Sequence, residues 1–137
     1  MISGLSHVTL IVEDLERTAE WLKKIFDARE VYSSENIMFS ISQEKFFLIG
    51  GLWICIMRGK PPMERSYHHI AFQIQEEEYD GYLAKLRDAG VEIKPGRPRI
   101  FGEGNSIYFY DFDNHLFELH TGSLTDRLAE YRKDNRG

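Results

Sequence analysis

Ser66-Tyr67-His68-His69-Ile70-Ala71-Phe72-Gln73-Ile74 is a β-prone run with a histidine a few residues in. It repeats the pattern of Leu5-Ser6-His7-Val8-Thr9-Leu10-Ile11-Val12 near the start of the chain. Side chains alternate along a strand, which puts Tyr67, His69, Ala71 and Gln73 on one face of the later run. Leu5, His7, Thr9 and Ile11 share a face of the earlier one. An acidic, helix-like segment follows each run within a few residues. His69 lies 62 positions after His7 (69 − 7), close to half the chain. One histidine in a strand is ordinarily a core or edge residue. Two at matching places in two copies of a module point to paired metal ligands.

Outward from these two strands the same order of elements is expected twice. After the first, Asp14 is placed to cap a helix. That helix buries Leu15, Ala19, Leu22 and Phe26, with Trp21 and Ile25 widening the stripe. Val31-Tyr32 and Met38-Phe39-Ser40-Ile41 are read as short strands around the turn Ser33-Ser34-Glu35-Asn36. A further turn, Ser42-Gln43-Glu44-Lys45, leads into Phe46 to Met57, a long strand or strand pair bent at Gly50-Gly51. Arg58-Gly59-Lys60-Pro61-Pro62 has the composition of a linker.

After the second strand, Glu76-Glu77-Glu78 opens a helix at the end where negative charge is favoured. Tyr79, Leu83 and Leu86 form its buried stripe, and Gly90 stops it. Val91-Glu92-Ile93 is a short strand, followed by the basic loop Lys94-Pro95-Gly96-Arg97-Pro98-Arg99. Ser106–Tyr110 and Leu116–His120 make a hairpin around Asp111-Phe112-Asp113-Asn114. A last helix begins at Leu124. The expected fold is therefore α+β, two tandem βαβββ modules in one domain spanning 1–137. The modules cover about 4–58 and 66–122, with a linker at 59–65, a terminal helix at about 124–132, and fraying from Arg132 to Gly137. Neither module alone has sheet enough to cover both its faces, so modules are expected to pair within a chain or between chains.

Bulk composition narrows the function. The 137 residues are 42% hydrophobic and 28% charged, ordinary for a globular domain. A net charge of −5 without a continuous basic stripe argues against nucleic acid as partner. The apolar run at Phe46 to Met57 is too short to span a bilayer, and no signal peptide is read at the N-terminus. The single Cys55 excludes an internal disulfide, fits a reducing cytoplasm, and reads as a small buried hydrophobe.

Glu118 lies in the final strand on one face with Leu116 and His120. With His7 and His69 it would complete a set of two histidines and one carboxylate, which suits a divalent first-row ion and leaves positions open for substrate. The repeat offset maps Glu118 onto Ile56, and Phe46 to Met63 contains no Asp, Glu or His, so the first module is expected to lack a fourth ligand. His68 points to the opposite face from His69. His115 is placed in a solvated turn, and His120 is given a structural role.

These residues resemble a family. Gly4-Leu5-Ser6-His7-Val8-Thr9, Leu52-Trp53-Ile54-Cys55, His69-Ile70-Ala71-Phe72, and Ser106 to Asp111 through Glu118-Leu119-His120 are similar to the fosfomycin-resistance enzymes of the vicinal oxygen chelate superfamily. Leu124-Thr125-Asp126-Arg127-Leu128 closes the set, and the match runs from about Leu5 to Tyr131. The subgroup most resembled is the X-type, a manganese-dependent epoxide hydrolase that adds water to the drug; sister types add glutathione, cysteine or bacillithiol.

The resemblance implies a module-exchanged homodimer acting on a small phosphonate epoxide, with His7 of one copy meeting His69 and Glu118 of another around Mn2+. Ligand type does not separate Mn2+ from Fe2+ or Zn2+. It implies Glu44 as general base, although from the residues alone Glu44 is a charged turn residue. It implies Thr9, Ser106, Tyr108 and Arg127 on the phosphonate and Trp53 on the apolar wall. Thr9 and Ser106 are equally readable as ordinary strand residues, Trp53 as core and Arg127 as a helix-surface charge. A further phosphonate cation falls among Lys94, Arg97 and Arg99, with Arg97 taken as the site residue. Gly102-Glu103-Gly104 lacks the serine of the Ser-Glu-Gly potassium loop found in the glutathione-type enzymes, which argues against a bound potassium. The competing functions are thiol transfer to the same drug, and sequestration without catalysis by a protein of the same fold.

Overall fold

The computed structural model describes residues 1–134. The chain divides into two compact units, one of Met1–Arg65 with Asp111–His115, the other of Ser66–Tyr110 with Leu116 onward.

In the first unit, β1 (His7–Val12), α1 (Leu15–Phe26), β2 (Arg29–Ser33), β3 (Glu44–Ile49) and β4 (Leu52–Arg58) follow one another. The strands form one sheet in the order β1-β4-β3-β2. β1 runs parallel to β4 and the other pairs are antiparallel. Asp14 caps α1 by accepting the Arg17 N–H at 3.0 Å. The helix buries Thr18, Ala19, Trp21, Leu22, Ile25 and Phe26. Leu10, Val12, Phe47, Ile49, Ile54 and Ile56 are buried with it. Strand alternation then sends His7, Thr9, Glu44, Phe46, Trp53 and Cys55 to the opposite face.

Two expectations change here. Met38–Ile41 is not a strand: Met38, Phe39 and Ile41 are 57%, 84% and 89% exposed in a long excursion. Ser34 accounts for this, because its N–H donates to the Glu44 carbonyl and its hydroxyl accepts the Glu44 N–H, both at 3.0 Å. The chain thus re-enters the sheet at Glu44, and Glu44 and Lys45 are buried strand residues rather than parts of a turn. The apolar run beyond is two strands, reversed at Gly50-Gly51, where φ values of 53° and 85° suit glycine.

The second unit repeats the plan with β5 (His69–Gln73), a 3-10 turn at Glu76–Glu78, α2 (Tyr79–Asp88), β6 (Ile93–Lys94), β7 (Ser106–Tyr110), β8 (Leu116–His120) and α3 (Leu124–Asp134). Its sheet order is β5-β8-β7-β6, with β5 parallel to β8. Tyr67 precedes the strand expected to contain it. The short strand expected at Val91–Ile93 is displaced to Ile93–Lys94, and the three glutamates form a 3-10 turn before the α-helix. Leu86 of α2, Ile107, Phe109, Phe117 and Leu119 are buried, leaving His69, Ala71, Ser106, Tyr108, Glu118 and His120 on the other face. Phe109 is fully buried and stacks on Phe117 at 6.0 Å. Phe109→Ala is expected to cost about 3–5 kcal/mol by urea denaturation.

His115 is not a solvated turn residue. Its Nδ1 lies 2.8 Å from Asp111 Oδ2, while Asp111 Oδ1 accepts the N–H groups of Asp113 and His115 at 2.8 and 2.9 Å. This pairing closes the β7–β8 turn. The expected fraying falls on Arg132–Asp134, which lie in α3, and on residues 135–137, outside those described. Among the described residues no helix is long and apolar enough to cross a membrane.

Candidate active site

On the first unit's open face, the β1–β4 register sets His7 opposite Trp53 and Thr9 opposite Cys55. The His7 ring stacks on Trp53 at 4.1 Å. Ser6 Oγ lies 2.9 Å from His7 Nδ1. The Trp53 indole N–H is buried with no acceptor among the described residues. Glu44 is 7% exposed and lines a cavity of about 320 Å3 with Tyr32, Phe39, Ser40 and Phe46. The Cys55 sulfur is 3.9 Å from its Oε1. Burial first, and then the negative charge of Glu44, push the Cys55 thiol up to about 11, so it stays protonated and donates to the carboxylate.

The second unit's open face is a connected polar network. His69 Nδ1 lies 2.7 Å from the Tyr67 carbonyl. A carbonyl only accepts, so Nδ1 carries a proton and donates to it, and the other ring nitrogen, Nε2, is turned to Glu118. That Nε2 is 3.0 Å from Glu118 Oε1. An imidazole nitrogen and a carboxylate oxygen that close share a proton or a cation, and the two together would serve as donors to a divalent ion. The chemistry of the donors, imidazole and carboxylate, fits a first-row ion as well.

Arg127 Nη2 lies 3.2 Å from His120 Nε2, which must therefore accept. His120 Nδ1 then donates to Ser106 Oγ at 2.7 Å, and Ser106 donates to Glu118 Oε2 at 2.5 Å. Burial lowers the His120 pKa, in keeping with a neutral ring. His120 is thus a link between Arg127 and Glu118, not a packing residue. Tyr108 shares hydrogen bonds with Tyr67 at 3.2 Å and Arg99 at 2.8 Å. Its phenol is raised by burial and by its bond to Tyr67. His69, Ala71, Glu118, His120 and Arg127 line a cavity of about 320 Å3.

The three candidate cations are placed differently. Arg97 makes no bond to Ser106, Tyr108 or Glu118 among the described residues: its guanidinium bonds Glu103, which also lies 3.7 Å from Arg99 and 3.9 Å from Arg127, and it is 3.3 Å from the Tyr131 hydroxyl. Lys94 pairs with Glu92 at 2.8 Å. Arg99 is the residue that joins the face, donating from Nη2 to Ser106, Tyr108 and Glu118 at 3.0, 2.8 and 3.3 Å. Its Nη1 is buried and makes no hydrogen bond among the described residues, but lies 3.7 Å from the Glu103 carboxylate, an ion-pair distance. Glu103 is 2% exposed, and its bonds from Arg97, the Tyr131 hydroxyl and the Ile100 N–H hold its carboxyl well below the usual range.

The structure therefore brings together His69, Glu118, Ser106, Tyr108 and Arg127 on one unit, and His7, Thr9, Trp53 and Glu44 on the other. Among the described residues no three His, Cys, Asp or Glu side chains stand grouped as a metal cage. Tyr67, Arg99, His120 and Cys55 are site-face residues whose part was missed or undervalued. Alternation alone pointed to Tyr67 and His120, which share faces with His69 and Glu118. The strand register also corrects the repeat offset. Thr9, two residues after His7, pairs with Cys55, and Ala71, two after His69, pairs with Glu118. The counterpart of Glu118 is Cys55, not Ile56, because the connection leading to the last strand is one residue longer in the second repeat.

Comparison with known proteins places nearly the whole chain beside one family. The model of the Glyoxalase/Bleomycin resistance protein/Dioxygenase superfamily matches residues 4–119. The fosfomycin resistance protein FosX of Listeria innocua is 62% identical over 133 residues, covering 97% of this chain and all of that protein (100%). A crystal structure of a glutamate-to-glutamine variant of FosX from Listeria monocytogenes, complexed with Mn(II) and 1S,2S-dihydroxypropylphosphonic acid, superposes with a TM-score of 0.87. It is 62% identical and covers 96% of this chain and 99% of that one. The metallothiol transferase FosB of Shouchella clausii is more distant, 37% identical over 97% of this chain and 90% of that protein.

Proposed function

The chain belongs to the glyoxalase/bleomycin resistance protein/dioxygenase superfamily, and from that premise we propose that it hydrates the epoxide of fosfomycin in a Mn2+-dependent reaction that gives resistance to the drug. The observation that carries the reading is Glu44. It is a buried carboxylate held by a neutral thiol rather than by a cation, beside a small cavity and on the same sheet face as His7. Such a group can take a proton from water; one locked to a lysine or arginine could not do so readily.

His7, His69 and Glu118 would hold the ion, with Mn2+ favoured by the relative's structure and Fe2+ or Zn2+ compatible with the same donors. When bound, the ion supplies Lewis-acid stabilisation of the oxygen that develops negative charge as the ring opens. Ser6 on His7 Nδ1 and the Tyr67 carbonyl on His69 Nδ1 leave each Nε2 as the ligating atom. Arg99, Arg127, Ser106, Tyr108 and Thr9 would hold the phosphonate, the two guanidiniums matching its oxygens with paired donors. Arg99 brings its charge to this face with Nη2 on Ser106, Tyr108 and Glu118, while its Nη1 lies 3.7 Å from Glu103 Oε2. Trp53 would wall the apolar side, and Glu44 would deprotonate the attacking water.

One unit contributes an imidazole and the base, the other an imidazole and a carboxylate, so the ligand set is complete only when both kinds of face meet. In the exchanged homodimer that the resemblance implies, they come from different copies in the cytoplasm. Thiol transfer is the second reading, kept by the FosB relative at 37% identity. Incubation with Mn2+ and fosfomycin in thiol-free buffer, followed by 31P NMR, is expected to yield one new diol phosphonate, and a chelator should stop it. Turnover only after glutathione, cysteine or bacillithiol is added would assign the transferase reading instead.

A further inference from the structure

The two repeats use one pair of positions in opposite senses. In the second unit, Ser106 on β7 donates its hydroxyl to the Glu118 carboxylate on β8 at 2.5 Å. The register makes Glu44 on β3 the counterpart of Ser106 and Cys55 on β4 the counterpart of Glu118. There the carboxylate stands on β3, and the donor, a thiol, stands on β4 at 3.9 Å. Donor and acceptor have exchanged strands while the diagonal pairing is retained. Cys55 is 3% exposed, so the contact lies out of solvent.

We infer that Cys55 is a positioning residue for the proposed reaction, aiming the Glu44 carboxylate while leaving it basic enough to accept a proton. The inference rests on the hydration reading given above. A thiol is a weak donor. Its contact with Glu44 at 3.9 Å is far longer than the 2.5 Å hydroxyl bond that Ser106 gives Glu118, so it orients the carboxylate without gripping it. Thr9 is the β1 register partner of Cys55, which ties the aim of the base to a strand residue proposed to touch the substrate. Among the described residues, Tyr32 is the other titratable group lining the cavity with Glu44, and the Cys55 thiol meets the carboxylate from β4. Lys45, next along β3, points the other way toward Glu16 and Glu30.

Cys55→Ala and Cys55→Ser test it, with thiol-free hydration measured at saturating Mn2+ and substrate across pH. Cys55→Ala removes the donor. kcat is expected to fall about tenfold, the worth of one oriented hydrogen bond, with KM and Mn2+ affinity within about twofold of wild type. The acidic limb of the kcat profile should move to higher pH, since a buried carboxylate without a donor holds its proton more tightly. Cys55→Ser supplies a stronger donor of nearly the same shape, and should recover most of kcat with the limb displaced to lower pH. A limb unmoved in both variants would overturn the inference, whether kcat holds or falls. A wild type that makes no diol would sink both this and the hydration reading, whereas diol from the wild type with an unchanged Cys55→Ala sinks this alone.

Discussion

Glu44→Gln is expected to lower kcat for thiol-free hydration by about 10²–10⁴-fold, the range positioned general-base help supplies. The substitution keeps the size of a side chain that is 7% exposed, and its amide oxygen can still accept from the Cys55 thiol. The fold and the thermal midpoint should therefore change little. What is lost is the ability to take a proton from water. Mn2+ affinity should be retained, because Glu44 is on a different strand from His7 and belongs to no proposed ligand set. KM should also stay near the wild-type value, since the anion contacts are made by other residues. Stopped-assay kinetics with a parallel Mn2+ titration separate these quantities. A loss of Mn2+ binding in step with kcat would instead make Glu44 a ligand.

Glu118→Ala should be the more damaging change, at least about 10³-fold in kcat/KM, or roughly 4 kcal/mol of transition-state stabilisation. It removes a proposed ion ligand and leaves Arg99 and Ser106 without the carboxylate they share. His7→Ala should be equally inactive through the loss of the other imidazole. Mixing the two dead variants gives a sharper result. If each site takes His7 from one copy and Glu118 from the other, the mixed dimer carries one intact site and one doubly damaged site. Random exchange of subunits should then restore about a quarter of the wild-type rate. Sites built within single chains would show no recovery.

Much of this was legible in the sequence because strands alternate. His7, His69 and Glu118 could each be placed on a face by counting in twos, and the duplication gave the order of elements in both repeats. Met38–Ile41 misled because apolar and β-branched content reports fitness for a pleated surface, not the presence of a neighbouring strand. The Ser34–Glu44 pairing that excludes that segment depends on a contact ten residues apart in sequence. Cys55 was hidden by a linear offset that ignores a one-residue difference between repeats, and only the hydrogen-bond register restores its equivalence to Glu118. Arg97 and Arg99 are two residues apart in a loop without periodicity. Both reach the buried Glu103 carboxylate, but Arg97 spends its hydrogen bonds there and beside Tyr131, while Arg99 extends to Ser106 and Tyr108. Nothing local announces that choice.

The central claim is that water, activated at Glu44, is the nucleophile. Single-turnover reaction of Mn2+-loaded protein with fosfomycin in 18O-enriched water, with every thiol omitted, tests it most directly. One 18O atom per diol, in the newly formed hydroxyl, is the predicted result. No product until a thiol is supplied, or a product without the label, would contradict it.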